Sequence, residues 1–221
     1  MKISYRFLNV TMIIVALLPV IYLILLWKQI PQIVPLHFNG NFEPDRKGSK
    51  SQLAIVVMSI ELIAIVLLFV MSNIKHLDPK RRNAPASSVF NKMAAGIVLF
   101  ITGINIMFII SSVKGAVVFG NFLFPLMGLL FAFIGNYMNN IKPNYFAGFR
   151  LPWTLSDDEN WRKTHRLAGH LWFWTGLFIT IISLLLPTPI VFPVLLSSIA
   201  IISIIPTVYS YKLFKTKQYK S

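Results

Sequence analysis

Few side chains in this sequence are of a kind that does chemistry. Its 221 residues include seven Asp and Glu, four His and no Cys, so disulfides, thiolate metal sites and thiol catalysis are excluded. His165 and His170 stand five apart, about 140° around a helix, and diverge too far to chelate one metal. The neighbouring carboxylates Asp157, Asp158 and Glu159 also diverge. No HExxH, P-loop, GxSxG or GxGxxG string occurs. An enzyme is not expected, and the residues suggest no cofactor. Three groupings remain: His37, Asn39, Glu43 and Asp45 in a stretch rich in turn formers; a single Glu61 inside an apolar run; and a polar, aromatic and basic stretch from Gly135 to Trp172.

The elements that position these groupings are membrane spans. The chain is 56% hydrophobic and 13% charged, with a mean hydropathy of +0.68, too apolar for a soluble domain. Six runs approach the roughly 20 residues that cross a hydrocarbon core: Phe7 to Leu26, Leu53 to Met71, Met93 to Val113, Phe119 to Met138, Ala168 to Leu186, and Ile190 to Tyr209. They are continuously apolar, whereas barrel strands alternate. The fold expected is an all-α integral membrane protein with six transmembrane helices. The first run follows Lys2 and Arg6 but is long and has no small-x-small cleavage site before Trp27-Lys28, so it is expected to stay as an anchor.

A net charge of +14 would suggest nucleic acid in a soluble protein. With the N-terminus inside, however, only Lys28, Arg46, Lys47, Lys50 and Lys114 lie outside, leaving sixteen of the 21 Lys and Arg on the cytoplasmic side. That bias sets the orientation of the spans, with both termini expected to be cytoplasmic, and no direct nucleic-acid contact is needed to explain it. The inner loop HLDPKRRNAP, residues 76–85, fits headgroup contact at the lipid bilayer.

The expected layout divides into an N-terminal half, 1–113, with an external Pro/Gly-rich loop at 27–51, and a C-terminal half, 114–221, with a cytoplasmic loop at 139–167. Each half has three helices and a long loop after its first, a 3+3 inverted arrangement of the kind common in transporters. The short connections Lys114 to Val118 and Pro187-Thr188-Pro189 predict antiparallel pairing of the third helix with the fourth and the fifth with the sixth.

In the external loop, Pro31, Pro35, Asn39-Gly40, Pro44 and Gly48 oppose helix and predict an extended loop or short hairpin. His37, Glu43 and Asp45 are its candidates for proton or cation binding, but spacing alone does not converge them. A compact polar loop packed on Trp27 is the plainer reading. Glu61 falls mid-span, where an ionised group is costly, so ion or proton handling is one reading and pairing with another helix a second. A protonated Glu61 bonded to Asn105 or Asn136 would satisfy the site without transport.

In the inner stretch, Ser156 and Glu159 have the spacing of a capping box, which predicts a helix from Asp157 to Leu186. Asp158 with Arg162 and Glu159 with Lys163 fall at i, i+4. Trp161, Thr164, His165 and Ala168 share one stripe, flanked by Arg162, Lys163 and Arg166. Trp153, Trp161, Trp172 and Trp174 gather near the interface, where aromatic belts lie.

The string Gly148-Phe149-Arg150-Leu151-Pro152-Trp153-Thr154-Leu155-Ser156, followed by Glu159 to Gly169, resembles the signature of the SdpI family of bacterial membrane proteins. Gly135-Asn136-Tyr137-Met138 and Lys142-Pro143-Asn144-Tyr145-Phe146 fit the same pattern. Ile30-Pro31, Pro35 to Gly40, Pro44-Asp45 and Gly48-Ser49-Lys50 resemble the uncharacterised N-terminal domain that often precedes it. Leu151 and His170 stand where the family more often has Thr and Lys.

The resemblance implies an immunity protein that protects against a secreted, membrane-active toxic peptide. It also implies a receptor that holds a small winged-helix repressor at the membrane. On that basis Arg150, Pro152, Trp153, Trp161, Arg162 and His165 are the expected cytoplasmic partner-binding set, and His37, Asn39, Glu43 and Asp45 shape the outer site. From the residues alone, the other reading is a small ion-coupled secondary transporter using Glu61.

Overall fold

A computed structural model describes residues 5–40, 42–79, 88–117 and 120–219. Lys2, Phe119, Lys220 and most of the basic inner loop, Lys80, Arg81 and Arg82 included, lie outside the described residues. The order is α1 (Tyr5–Leu26), β1 (Ile33–Phe38), β2 (Pro44–Ser49), α2 (Lys50–Ser72), α3 (Ile74–Leu77), α4 (Ser88–Lys114), α5 (Gly120–Met138), α6 (Pro152–Ser156), α7 (Asp158–Leu185) and α8 (Thr188–Gln218).

Five helices, α1, α2, α4, α7 and α8, are long and apolar enough to cross a membrane. The fourth expected span coincides with α5, a helix of 19 residues with Pro125 inside, whose apolar stretch, Phe122–Met138, is shorter than those five. Helices suit these runs because hydrocarbon offers no partner to a free N–H or C=O, and a helix satisfies its backbone internally. Their outer faces stay apolar: Leu25 is 73% exposed, Leu62 61% and Leu185 75%. In water such surface would drive aggregation, whereas in lipid it costs nothing.

The first core joins α1, α2 and α4 through Met12, Ala16, Ala64, Leu68, Ala94, Ala95 and Val98. In the other half, α7 packs on both α5 and α8. The expected pairing of the fifth and sixth spans is present as α7 with α8. The expected pairing of the third with the fourth is slight, because α5 turns its main face to α7 instead. Small residues decide this. A Cβ on Gly128 would meet Gly176 O at 2.6 Å, one on Gly135 would meet Gly169 O at 2.8 Å, and one on Gly169 would meet Gly135 O at 2.9 Å. Gly128 and Gly135 are seven apart, as are Gly169 and Gly176, so the two pairs lie on matching stripes and let the backbones touch.

The external loop forms the expected short hairpin. Strands β1 and β2 pair antiparallel from Ile33↔Ser49 to Phe38↔Pro44, with irregularities on either side of His37. Its turn is closed by Phe42 N–H donating to Asn39 O at 2.9 Å, with Phe42 at φ +63. Val34 and Leu36 point inward to Leu23, Leu53, Val57 and Ile109, fastening the hairpin to the helix ends. Ser49 then caps α2: its hydroxyl accepts from Gln52 N at 3.2 Å and Gln52 Oε1 accepts from Ser49 N at 2.9 Å. The loop also packs on Trp27 as expected, with Lys50 Nζ 4.9 Å from the ring centroid.

Candidate functional site

The inner stretch is an ordered loop organised by one buried amide. Asn144 is fully buried and uses all of its side-chain hydrogen-bonding capacity. Its Oδ1 accepts from Phe146 N at 2.8 Å and Ala147 N at 2.7 Å, while its Nδ2 donates to Lys142 O at 2.9 Å and Ala147 O at 3.1 Å. Asp78, 1% exposed just after α3, accepts from Tyr145 N at 2.8 Å and so ties the N-terminal half to this loop.

The stripe expected on α7 is real and faces inward. Trp161 is 1% exposed, Thr164 and Ala168 are fully buried, and His165 is 1% exposed. Trp161 Nε1 donates to Ile141 O at 2.8 Å, and its ring stacks on His165 with centroids 4.0 Å apart. Phe149 N donates to His165 Nε2 at 3.1 Å, so that nitrogen is an acceptor and the ring proton sits on Nδ1, which donates to Trp161 O at 2.9 Å. Gly148, at φ +102, lies where a Cβ would strike His165 Nε2, so the loop closes over the imidazole only with glycine there.

The expected capping box does not form, and a simple cap lies one residue further on. Ser156 ends α6 and donates to Trp153 O at 3.3 Å. The cap of α7 is Asp157, whose Oδ1 accepts from Glu159 N at 2.9 Å and Asn160 N at 3.2 Å. Pro152 opens α6 and makes a separate short helix of the segment that contains Ser156, leaving Asp157 as the first free side chain before α7. Of the two i, i+4 pairs, Glu159 with Lys163 forms at 2.9 Å. Lys217, from the far end of α8, lies 2.7 Å from both Asp157 Oδ2 and Glu159 Oε2. That ammonium, as a hydrogen-bond donor, holds the Asp157 carboxyl below its usual range.

Residues matching known families overlie these features. Residues 140–210 match the SdpI/YfhL protein family, and residues 14–71 match a domain of unknown function, DUF1648. The chain is 26% identical to "Immunity protein SdpI" of Bacillus subtilis (strain 168) over 207 residues, covering 94% of this chain and 96% of that protein. No solved structure matches it. The match to the SdpI/YfhL family thus falls on the inner loop and the two helices that follow it.

Within that segment the structure sorts the expected residues by exposure. Arg150, Pro152 and Arg162 are exposed, Trp153 is half-buried, and Trp161 and His165 are buried. Arg150 Nη1 donates to Tyr145 O at 2.7 Å and is thereby set against the loop. Trp153 Nε1 donates to Ser210 Oγ at 2.9 Å, and its ring contacts Tyr211 and Phe214. Asn160 Nδ2 donates to Ser210 O at 2.9 Å. The inner loop is thus gripped by α8 through Ser210, Tyr211, Phe214 and Lys217, none of which the sequence had singled out as site residues. Their only signal was the polar, aromatic and basic turn of sequence at the end of an apolar run.

The outer candidates converge in pairs. His37 Nδ1 is 2.6 Å from Asp45 Oδ1, both exposed. Asn39 Oδ1 accepts from Glu43 N at 3.0 Å, and Asn39 Nδ2 donates to Glu43 Oε2 at 3.4 Å. These contacts brace the hairpin turn. Glu61, 1% exposed on α2, faces α4. Asn105 Nδ2 donates to Glu61 Oε1 at 2.9 Å and to Val57 O at 3.1 Å, and Thr102 Oγ1 donates to Glu61 Oε2 at 3.4 Å. The partner is Asn105, one of the two amides expected from the sequence, and the cluster joins α2 to α4. Among the described residues, no group of three or more His, Cys, Asp or Glu could hold a metal ion.

Proposed function

We propose that this protein is a multi-pass immunity protein of the bacterial plasma membrane, giving resistance to a secreted, membrane-active toxic peptide. The observation that carries this reading is the similarity to Immunity protein SdpI along 94% of the chain, across both the hairpin-bearing half and the SdpI-family segment. In this reading α5 is the sixth span and both termini are cytoplasmic. The hairpin with His37, Asn39, Glu43 and Asp45 then faces the incoming peptide.

The inner loop presents Arg150 and Arg162 to a small winged-helix repressor. The buried Trp161 and His165 and the grip by α8 give that surface a fixed shape, and a preorganised surface binds without an ordering cost. The alternative, an ion-coupled transporter, depends on Glu61. Asn105 directs both hydrogens of its amide at acceptors on α2, an arrangement that favours helix pairing over ion passage.

The test is survival and membrane potential of a sensitive bacterium challenged with the toxic peptide. The intact protein is compared with an Arg150→Ala, Trp153→Ala variant at matched membrane level. Protection by the intact protein that the variant loses is expected. Depolarisation as fast as in empty-vector cells would reject immunity to that peptide. If Glu61→Gln abolished a proton-coupled flux in vesicles at normal protein level, the transporter reading would replace it. For orientation, single cysteines at Gly40 and Ser156 should be labelled by an impermeant maleimide from outside and inside respectively.

A further inference from the structure

Between α4, α5 and α8, directly under the hairpin, lies a cavity of about 580 Å³. Its walls are apolar, supplied by Ile104 and Met107 of α4, Leu123 and Met127 of α5, and Leu196 of α8, with His37 and Asn39 at the hairpin end. Phe192 and Leu196, which line it, are 40% and 52% exposed, so the space reaches the lipid-facing surface of α8. An apolar recess that opens sideways into a bilayer is filled from the bilayer.

Size selects the occupant. A helix with side chains is about 10 Å across and rises about 1.5 Å per residue, so this volume would take only about five residues of peptide helix. A methylene takes roughly the 30 Å³ share of one liquid water, so the same volume holds about nineteen such groups, the content of a single lipid tail.

Charge selects the headgroup. The cross-strand partner of His37 is Arg46, and directly opposed residues project on one face about 5 Å apart. Lys47 follows and is exposed. Of the nearby acids, Asp45 is engaged by His37 and Glu43 by Asn39. We infer that the cavity is a lipid site, seating one acyl tail of an anionic phospholipid from the leaflet on the hairpin's side, with its phosphate toward Arg46. This goes beyond the immunity reading and does not depend on it.

The test uses full-length protein in phosphatidylethanolamine vesicles doped with phosphatidylglycerol carrying a photoreactive tail, with adducts mapped by mass spectrometry. Adducts should concentrate on Met107, Leu123, Met127 and Leu196. They should fall several-fold in Met107→Trp and in Leu123→Trp, each compared only if it elutes in gel filtration as the parent does. Arg46→Gln should remove the preference for phosphatidylglycerol over phosphatidylcholine bearing the same tail. Adducts spread evenly over Ile24, Leu62 and Leu185 would overturn the site, as would cavity labelling unchanged in both Trp variants. Equal labelling by the two lipids in the parent would overturn the headgroup assignment. Labelling of the same residues by a photoreactive membrane-active peptide, but not by lipid, would overturn the lipid in favour of a peptide.

Discussion

A single methyl group added at Gly135 should weaken the protein, while the same methyl at Gly103 should not. Both glycines lie inside helices, where Ala is intrinsically preferred by about 0.5–1 kcal/mol. At Gly103 nothing lies within 4 Å of the new Cβ, so Gly103→Ala should be neutral or stabilising by up to that amount. At Gly135 the new Cβ would meet Phe173 N, Gly169 O at 2.8 Å and Phe173 Cα at 2.9 Å, all backbone atoms. Ordinary contact begins at 3.4 Å, so α5 and α7 must part by about 0.6 Å to clear Gly169 O and by more, up to about 1 Å, to clear Phe173 N. A gap of that size forfeits about a quarter to a half of each neighbouring dispersion contact.

Overpacking of this kind costs about 1–3 kcal/mol, more than the gain in propensity. A net loss near 2 kcal/mol lowers the folded-to-unfolded ratio by roughly 30-fold. The assay is equilibrium unfolding in mixed micelles titrated with SDS, followed by tryptophan fluorescence, for both variants beside the parent. Because α5 and α7 meet through Gly135 and Gly169 together, the Gly135→Ala, Gly169→Ala double variant should lose less than the two single losses added, since the first methyl already opens the gap. Equal effects at Gly103 and Gly135, or strict additivity of the pair, would refute the backbone-contact account of this interface.

Two further outcomes follow from side-chain geometry. The Asp157 carboxyl is held below its ordinary value by Lys217, so its contribution is fully present above the unfolded-state pKa and is lost as pH falls through the depressed folded one; acid titration of thermal stability should show a shallower loss for Asp157→Asn than for the parent, and an identical acid limb would remove the clamp from the account. Asn105→Ala should cost about 1–3 kcal/mol by removing the donor to Glu61 Oε1 and Val57 O, read in the same SDS titration. A Glu61→Leu, Asn105→Leu pair should recover much of that loss, since the carboxyl and its main donor go together and only the long Thr102 contact is lost besides, and no recovery would count against the pairing role.

What the sequence determined by itself is what depends on short range. Continuous apolar runs must become helices in lipid, and each run falls within a helix or nearly so, although α4 begins five residues before its run and α8 continues nine beyond. Turn formers from Pro31 to Gly48 produced the hairpin, and the i, i+4 spacing of Glu159 and Lys163 produced their ion pair. The run from Gly148 to Gly169 carried the family resemblance. The stripe of Trp161, Thr164, His165 and Ala168 was legible as a face, because helical period alone groups those residues.

Which way a face turns, and what it meets, is set by partners distant in the chain, and only the tertiary structure supplied them. Nothing near in sequence sets the α5 glycines against those of α7; their stripes meet only in the fold. Ser156 looked like the better cap until Pro152 drew it into α6. Lys217 is sixty residues from Asp157 yet completes its pair, and Asp78 is sixty-seven from the Tyr145 amide it holds. The cavity under the hairpin has no sequence signature at all, since it is the space left where three helix ends and a loop fail to close.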